Sequence, residues 1–242
     1  MLSQNLMYVV LSLVGFIAGL LSGAVGFGGG MVLLPVVIYF FGIEVAVPVC
    51  TIAQLLSNLS RVVIGWKDVK WKAAGQFLIT AAPLTALGAY GFSIAPKQMM
   101  TQILSVFLIV FAVMKLCGKM KLPHRPATML MGGGITGLFN GLLSISGPLS
   151  SAVFLTLDLS PVSYIASEAT AATVMHIIKI IVYGKLNLVS MPIIYTGLSI
   201  AAAIIVGNLV AMKTIKRFHT KTYQKIVALC MILLSIYLFF SV

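Results

Sequence analysis

Two glycine-rich breaks in apolar sequence are the features of this chain best suited to bind a ligand. The first reads GAVGFGGG at positions 23–30, and the second reads GLLSISGP at positions 141–148. Runs of glycine leave backbone N–H groups without helical partners, which a membrane interior tolerates only where the backbone is buried in protein or lines a cavity. Helices that restart after the two breaks would direct free N–H groups and positive dipole ends toward one another, which predicts a site for a small anion.

The breaks supply most of the candidate substrate site. Hydroxyl groups of Ser144 and Ser146 would add donors to the backbone N–H groups. The residues expected to form this part of the site are Gly26, Phe27, Gly28, Gly29, Gly30, Ser144, Ser146, Gly147 and Pro148. A tight turn is the alternative interpretation of the glycine run. A dinucleotide-binding loop is not indicated, because strands and helices do not alternate in this sequence.

The apolar segment at 45–64 carries polar side chains on one helical face. Gln54, Asn58 and Arg61 recur at i, i+4 and i+7, the spacing of neighbours on a helix surface. We expect Gln54 and Asn58 to face the breaks and bind the substrate. Arg61 lies near the end of the segment, where a long cationic side chain typically extends to the membrane surface, so a structural role is expected for it.

The segment at 162–183 carries a second polar face. Glu168, His176 and Lys179 recur at i, i+8 and i+11, with Thr173 nearby. We assign Thr173 to the substrate site, and Glu168, His176 and Lys179 to ion coupling, because ionisable groups inside a membrane are costly and can relay protons. A purely structural pair between Glu168 and Lys179 is the alternative, and the choice between H⁺ and Na⁺ as the coupling ion stays open.

The elements that carry these residues must be membrane helices. The 242 residues are 60% hydrophobic and 8% charged, which excludes a soluble enzyme because so few charges cannot cover a water-soluble globule. The second and seventh of the apolar segments are too short to cross a bilayer alone, so we expect each to pair with its predecessor as a broken, re-entrant unit. The segments lie at 6–22, 30–41, 45–64, 73–93, 98–116, 128–143, 148–157, 162–183, 188–212 and 223–240.

An internal repeat divides the chain into two halves. A shift of 118 positions aligns Gly15, Gly19 and Gly23 with three glycines of the second half and places Arg61 on Lys179. Each half holds an odd number of apolar segments, so the second is expected to be inverted relative to the first. The predicted fold is therefore an all-α polytopic membrane protein with two inverted repeats, at 1–118 and 127–242, whose broken helices meet at the midplane. Glycines spaced by four are assigned to helix packing.

Basic residues cluster near 61–72, 115–125 and 213–225. Short cytoplasmic loops collect Lys and Arg, so we expect these clusters, including a linker at 119–126, to face the cytoplasm. The protein would then lie in the cytoplasmic (inner) membrane with both termini on the extracytoplasmic side. Contacts with lipid headgroups explain the clusters better than nucleic acid does. The three cysteines lie far apart without metal-ligand spacing, so no metal or other cofactor is predicted.

The longer motifs resemble a known family. The stretches GFIAGLLSGAVGFGGGMVLLP at 15–35 and GGGITGLFNGLLSISGP at 132–148 are similar to the TauE/SafE family of membrane anion transporters, and the similarity covers essentially the whole chain. The resemblance implies a secondary carrier of sulfite, organosulfonates such as sulfoacetate, or related sulfur-containing anions. It places Gly26 to Gly30 and Ser144 to Pro148 in the family's motif, although the second break departs from the first.

The function hypothesis is thus a secondary transporter of small sulfur-containing anions that works by alternating access. An anion channel, or a carrier for a different small solute or ion, is the nearest alternative. A membrane enzyme is not expected, because the chain has four acidic residues and three histidines without a catalytic motif. A non-transporting assembly subunit would have no need of two matched glycine breaks. Substrate identity, direction of transport and the choice between monomer and homodimer are not determined by the sequence.

Overall fold

The computed structural model of the chain describes residues 4–26, 29–116 and 125–214, together with residues 232, 236, 239 and 240. Within these residues the fold is all-α, as predicted, and contains no β-strand. Most of the linker at 119–126 and of the tenth apolar segment lies outside the described residues. The helices are α1 (Gln4–Val25), α2 (Gly29–Ile64), α3 (Trp71–Ile94), α4 (Lys97–Leu116), α5 (Pro126–Leu143), α6 (Gly147–Phe154), α7 (Pro161–Lys185) and α8 (Met191–Thr214).

Several helices are long and apolar enough to cross a membrane. By length and composition the described part of the chain has five such stretches, at Leu6–Ala24, Gly29–Ile64, Trp71–Ile94, Pro161–Lys185 and Met191–Lys213. Large apolar side chains are exposed on their outer faces, as expected where lipid rather than water surrounds the protein. Examples are Leu13, Ile79, Ile181 and Tyr195. The chain is a multi-pass membrane protein.

Helix α2 contains the second and third apolar segments as two helical parts. Its range of 36 residues is interrupted at Gly42, where the backbone is not helical. Gly42 has φ 71° and ψ 165°, a conformation that glycine adopts without the strain a Cβ would bring. The two segments are therefore separate helical parts, as predicted, and Gly30 of the first part lies beside Gln54 of the second.

Two helix pairs pack at close range, α1 with α8 and α3 with α5. Gly19 of α1 lies against the backbone of Ile204, and Gly137 of α5 lies against the backbone of Ala81. A Cβ at either glycine would collide with these main-chain atoms. Glycines spaced by four thus allow close helix packing, as predicted. The inverted relation of the two halves stays a prediction.

The backbone takes a similar course at the two breaks. After α1 the chain turns at Gly26, with φ 82°, and after α5 it turns at Ser144, with φ 56°. Both residues are in the left-handed region that often ends a helix. The next helices restart at Gly29 and Gly147. Each break therefore places the carboxyl end of one helix beside the amino end of another.

Candidate functional site

A buried cavity lies where the two breaks meet α2, α7 and α8. Its volume is about 30 Å³, the space of roughly two or three water molecules. Its walls are mostly small and polar. They are formed by Ala18, Ser22, Gly26, Gly29, Gly30, Met31, Gln54, Ser57, Asn58, Arg61, Ser144, Ile145, Ser146, Gly147, Pro148, Glu168 and Ile204.

Amino ends of two helices border the cavity. Gly29 and Gly30 belong to the first turn of α2, and Gly147 and Pro148 to the first turn of α6. The first N–H groups of a helix have no partner inside that helix, and they carry the positive end of the helix dipole. The cavity therefore combines backbone donors from both breaks, the arrangement that suits a small anion.

Arg61 occupies the cavity wall, and the expectation that it extends to the membrane surface is wrong. Its side chain is only 5% exposed. The guanidinium Nη1 donates to the Gly26 carbonyl at 2.7 Å and lies 3.4 Å from Glu168 Oε2, while Nη2 donates to Asn58 Oδ1. The alignment of Arg61 with the intramembrane Lys179 indicated a buried position. The position of Arg61 near a segment end indicated the membrane surface instead.

Glu168 also lines the cavity, beside Arg61, and is 1% exposed. Its Oε1 accepts a hydrogen bond of 2.6 Å from Ser150 of α6, while its Oε2 faces Arg61. The carboxylate therefore joins α7 to α6 and to α2. Among the described residues, this is the ion pair that the structure contains.

Gln54 belongs to the part of α2 that follows Gly42, and its amide lies beside Gly30 in the first turn of α2. Its Nε2 is buried and has no hydrogen-bond acceptor in the described part of the chain. A Cβ on Gly30 would lie 2.5 Å from Gln54 Oε1 and 2.6 Å from Nε2. Glycine at position 30 thus leaves room for the amide, and the free N–H group is a donor available to a ligand.

Lys179 lies beside the second break without lining the cavity. Its side chain is fully buried, and Nζ donates to Ser144 Oγ. Ser144 does line the cavity, and its hydroxyl also lies 3.3 Å from Thr51 Oγ1. Ser144 thereby connects a buried ammonium group with the cavity.

The structure brings most of the predicted site residues to one cavity. Ten are in its lining: Gly26, Gly29, Gly30, Gln54, Asn58, Ser144, Ser146, Gly147, Pro148 and Glu168. Thr173 is not in the lining, and its hydroxyl donates to the Ala169 carbonyl at 2.7 Å. His176 is fully buried but is also absent from the lining. Phe27 and Gly28 lie outside the described residues.

Sequence reasoning missed a polar network behind the cavity. Ser22 donates to Asn208 Oδ1 at 2.6 Å, and Asn208 Nδ2 donates to Ser57 Oγ at 3.1 Å. Ser22 and Ser57 line the cavity, whereas Asn208 lies behind them on α8. Asn208 is fully buried in an apolar helix, and that isolated amide was the signal that could have identified the network.

Within the described ranges, no three His, Cys, Asp or Glu side chains are grouped so that they could hold a metal ion.

The chain was compared with known proteins in three ways. A family model described as "Sulfite exporter TauE/SafE" matches residues 11–238. The searches of curated proteins and of solved structures returned no match.

Proposed function

Because the chain belongs to the TauE/SafE family of sulfite exporters, we propose that it is a secondary transporter that carries a small sulfur oxyanion through the cavity between its two breaks. The family match establishes the resemblance noted in the sequence and supports a membrane transporter rather than an enzyme. The observation that carries the more specific proposal is the cavity itself. It is small and only partly open, and it is bordered by two helix amino ends and Arg61.

The donors around the cavity match the chemistry of sulfite. A sulfur oxyanion offers three acceptor oxygens at the corners of a small pyramid, and each accepts hydrogen bonds from N–H or O–H groups. Backbone N–H groups of α2 and α6, the free Nε2 of Gln54 and the hydroxyl of Ser146 approach the same space. Arg61 supplies a charged donor that already holds the Glu168 carboxylate.

The cavity volume favours sulfite over larger organosulfonates. About 30 Å³ accommodates a group of roughly two or three water molecules, and a sulfite ion has four heavy atoms. Sulfoacetate and taurine each add a two-carbon arm that bears a second polar group. They would require a larger movement of the wall than sulfite would.

The proposed mechanism is alternating access across the cytoplasmic membrane. The basic loops would face the cytoplasm, both termini would be extracytoplasmic, and the inverted halves would expose the cavity to each side in turn. The family description favours export as the direction. A cavity of only about 30 Å³ supports a carrier more than a channel, because a channel needs a continuous water-filled path.

Ligand-dependent thermal stabilisation of the purified protein tests this proposal. Sulfite, thiosulfate, sulfoacetate, taurine, sulfate, phosphate and acetate are compared, because a ligand that binds the folded state raises apparent stability by mass action. We expect the largest shift with sulfite and its loss in Ser146→Ala. A matched control is Ser199→Ala, which changes an exposed hydroxyl of α8. Stabilisation by a cation or a neutral solute alone would overturn the anion proposal.

Flux measurements in proteoliposomes separate carrier from channel. A carrier saturates with substrate and exchanges labelled sulfite against unlabelled sulfite on the other side of the membrane. Flux that rises linearly with concentration and shows no exchange would support the channel.

A further inference from the structure

Each of the two breaks accepts a hydrogen bond from a buried basic side chain, and the two basic residues occupy corresponding positions in the repeat. Arg61 Nη1 donates to the carbonyl of Gly26, and Lys179 Nζ donates to the hydroxyl of Ser144. A shift of 118 positions relates Gly26 to Ser144 and also relates Arg61 to Lys179. Gly26 and Ser144 are the left-handed residues that follow α1 and α5. One buried cation therefore lies at the carboxyl end of each broken helix.

These positions are where a transporter with broken helices can hold a coupling cation. The carboxyl end of a helix carries the negative end of its dipole, and unwound carbonyl groups there coordinate sodium in some transporters. Here the Gly26 carbonyl accepts from Arg61 at 2.7 Å, and the Ser22 carbonyl lies 3.5 Å from the same nitrogen. The guanidinium thus occupies the carbonyl groups that a sodium ion would need.

The two cations differ in how their charge is balanced. Arg61 pairs with Glu168 at 3.4 Å. Lys179 is fully buried and forms no ion pair with any carboxylate in the described part of the chain. The Ser144 hydroxyl accepts from it, the ring of Tyr183 lies 5.6 Å away, and the side chains of Cys50 and His176 lie close enough to interact with its charge. With these three side chains ionised, the cavity region carries one net positive charge.

An uncompensated buried charge is costly, so a partner of opposite charge is expected. Ser144 accepts from Lys179, and its own hydroxyl donates to the Val47 carbonyl over a long 3.4 Å, a contact that can be exchanged for a closer acceptor. Because Ser144 lines the cavity, an anion bound there can be that acceptor. The charge of Lys179 would then act on the anion through one intervening hydroxyl group.

We propose that Lys179 is the positioning residue that supplies, through Ser144, the net positive charge that balances the bound anion, so that a monoanion binds without a sodium ion. This inference rests on the proposed function and deepens it. The preferred ligand is a singly charged oxyanion such as hydrogensulfite. Arg61 takes the place of a coupling cation at the carbonyl groups of the first break, and Lys179 supplies its charge to the hydroxyl of Ser144 at the second.

A charge-restoration series tests the inference, with sulfite as the probe. Dissociation constants are measured by calorimetry for the unaltered protein and for Lys179→Met, Lys179→Arg and the double variant Lys179→Met/Glu168→Gln. Each is assayed with sodium and with N-methylglucamine as the sole cation. Lys185→Met is the matched control, because Lys185 is an exposed residue at the end of the same helix. Thermal unfolding of each variant checks folding.

The expected pattern follows from the count of buried charges. Lys179→Met lowers the net charge to zero and weakens sulfite binding about tenfold or more, whereas Lys179→Arg retains most of the affinity. The double variant removes one charge of each sign, so it restores the balance and recovers affinity to within about threefold of the unaltered protein. Lys185→Met leaves affinity unchanged. All dissociation constants are equal in sodium and in N-methylglucamine.

The other outcomes each contradict this inference, and one of them also contradicts the proposed function. Sulfite binding that requires sodium would overturn this inference and leave the proposed anion transporter standing. Failure of the double variant to recover affinity, although it folds, would show that Lys179 acts on structure and not on charge. A protein that binds no anion under either condition would overturn the proposed function itself, and this inference with it.

Discussion

Arg61 of α2 and Glu168 of α7 form a buried ion pair of 3.4 Å at the cavity wall, and each member also binds one of the two broken units. Arg61 donates to the Gly26 carbonyl in the first break, and Glu168 accepts from Ser150 of α6, the helix that follows the second break. A single pair of side chains therefore fixes the distance between the two halves of the cavity.

Arg61→Met should be strongly destabilising. It leaves Glu168 buried without its partner, which typically costs about 3 to 5 kcal/mol. We expect a lower midpoint of denaturant unfolding in detergent. In the double variant Arg61→Met/Glu168→Gln the uncompensated carboxylate is absent, so much of that loss should be recovered. Equal instability of the single and double variants would contradict the role of the ion pair.

Gly30→Ala should impair binding while the fold is retained. The added Cβ would lie 2.5 Å from Gln54 Oε1, so the flexible amide must leave its place at the cavity. We expect sulfite affinity to fall about tenfold, the effect of roughly one lost hydrogen bond. Gly75→Ala on α3 is the matched control, because a Cβ there meets nothing within 4 Å. Unchanged affinity in Gly30→Ala would argue against a ligand contact by Gln54.

Gln54→Ala should alter the size preference of the site. Removal of the amide deletes the unpaired Nε2 donor and enlarges the cavity. Sulfite affinity is therefore expected to fall about tenfold, while sulfoacetate gains affinity relative to sulfite. Competition of each anion against labelled sulfite measures the ratio. Gln76→Ala, an amide of α3 that is absent from the cavity lining, should leave it unchanged.

Gly137→Ala should destabilise the protein through helix packing. Its Cβ would lie 2.8 Å from Ala81 Cα and 2.9 Å from Ala81 C, and main-chain atoms cannot move aside as a flexible side chain can. The expected cost is about 1 to 3 kcal/mol, typical of overpacking. Gly184→Ala on α7, where a Cβ meets nothing within 4 Å, should be neutral or slightly stabilising. Thermal unfolding in detergent compares the two variants.

Hydrophobic patterning was sufficient to predict the fold class and much of the helix order. Membrane helices must satisfy their backbone hydrogen bonds internally, so an apolar stretch of sufficient length has few alternatives. The same rule identified both breaks, because glycine runs disrupt that pattern. The division between the second and third segments was predicted as well, and it falls at Gly42, whose backbone is not helical.

The identity of the cavity residues was harder to predict, since helix periodicity defines a face but not its neighbours. Gln54 and Asn58 share a face with Arg61, and all three line the cavity. Arg61 lies near a segment end, which suggested that its side chain extends to the membrane surface. Its guanidinium group instead donates to the Gly26 carbonyl of the first break. His176 shares a face with Lys179, yet neither is in the cavity lining. Whether a residue on that face reaches the cavity depends on its position along the helix axis relative to the cavity, and tertiary packing determines that position.

The ion pair between Arg61 and Glu168 also constrains how the protein is made. The two residues are 107 positions apart in the chain, so at ordinary synthesis rates Arg61 leaves the ribosome roughly 5 to 20 s before its partner. During that interval α2 carries an arginine whose carboxylate partner does not yet exist. The buried contacts around Arg61 can therefore reach their final form only after α7 has been translated.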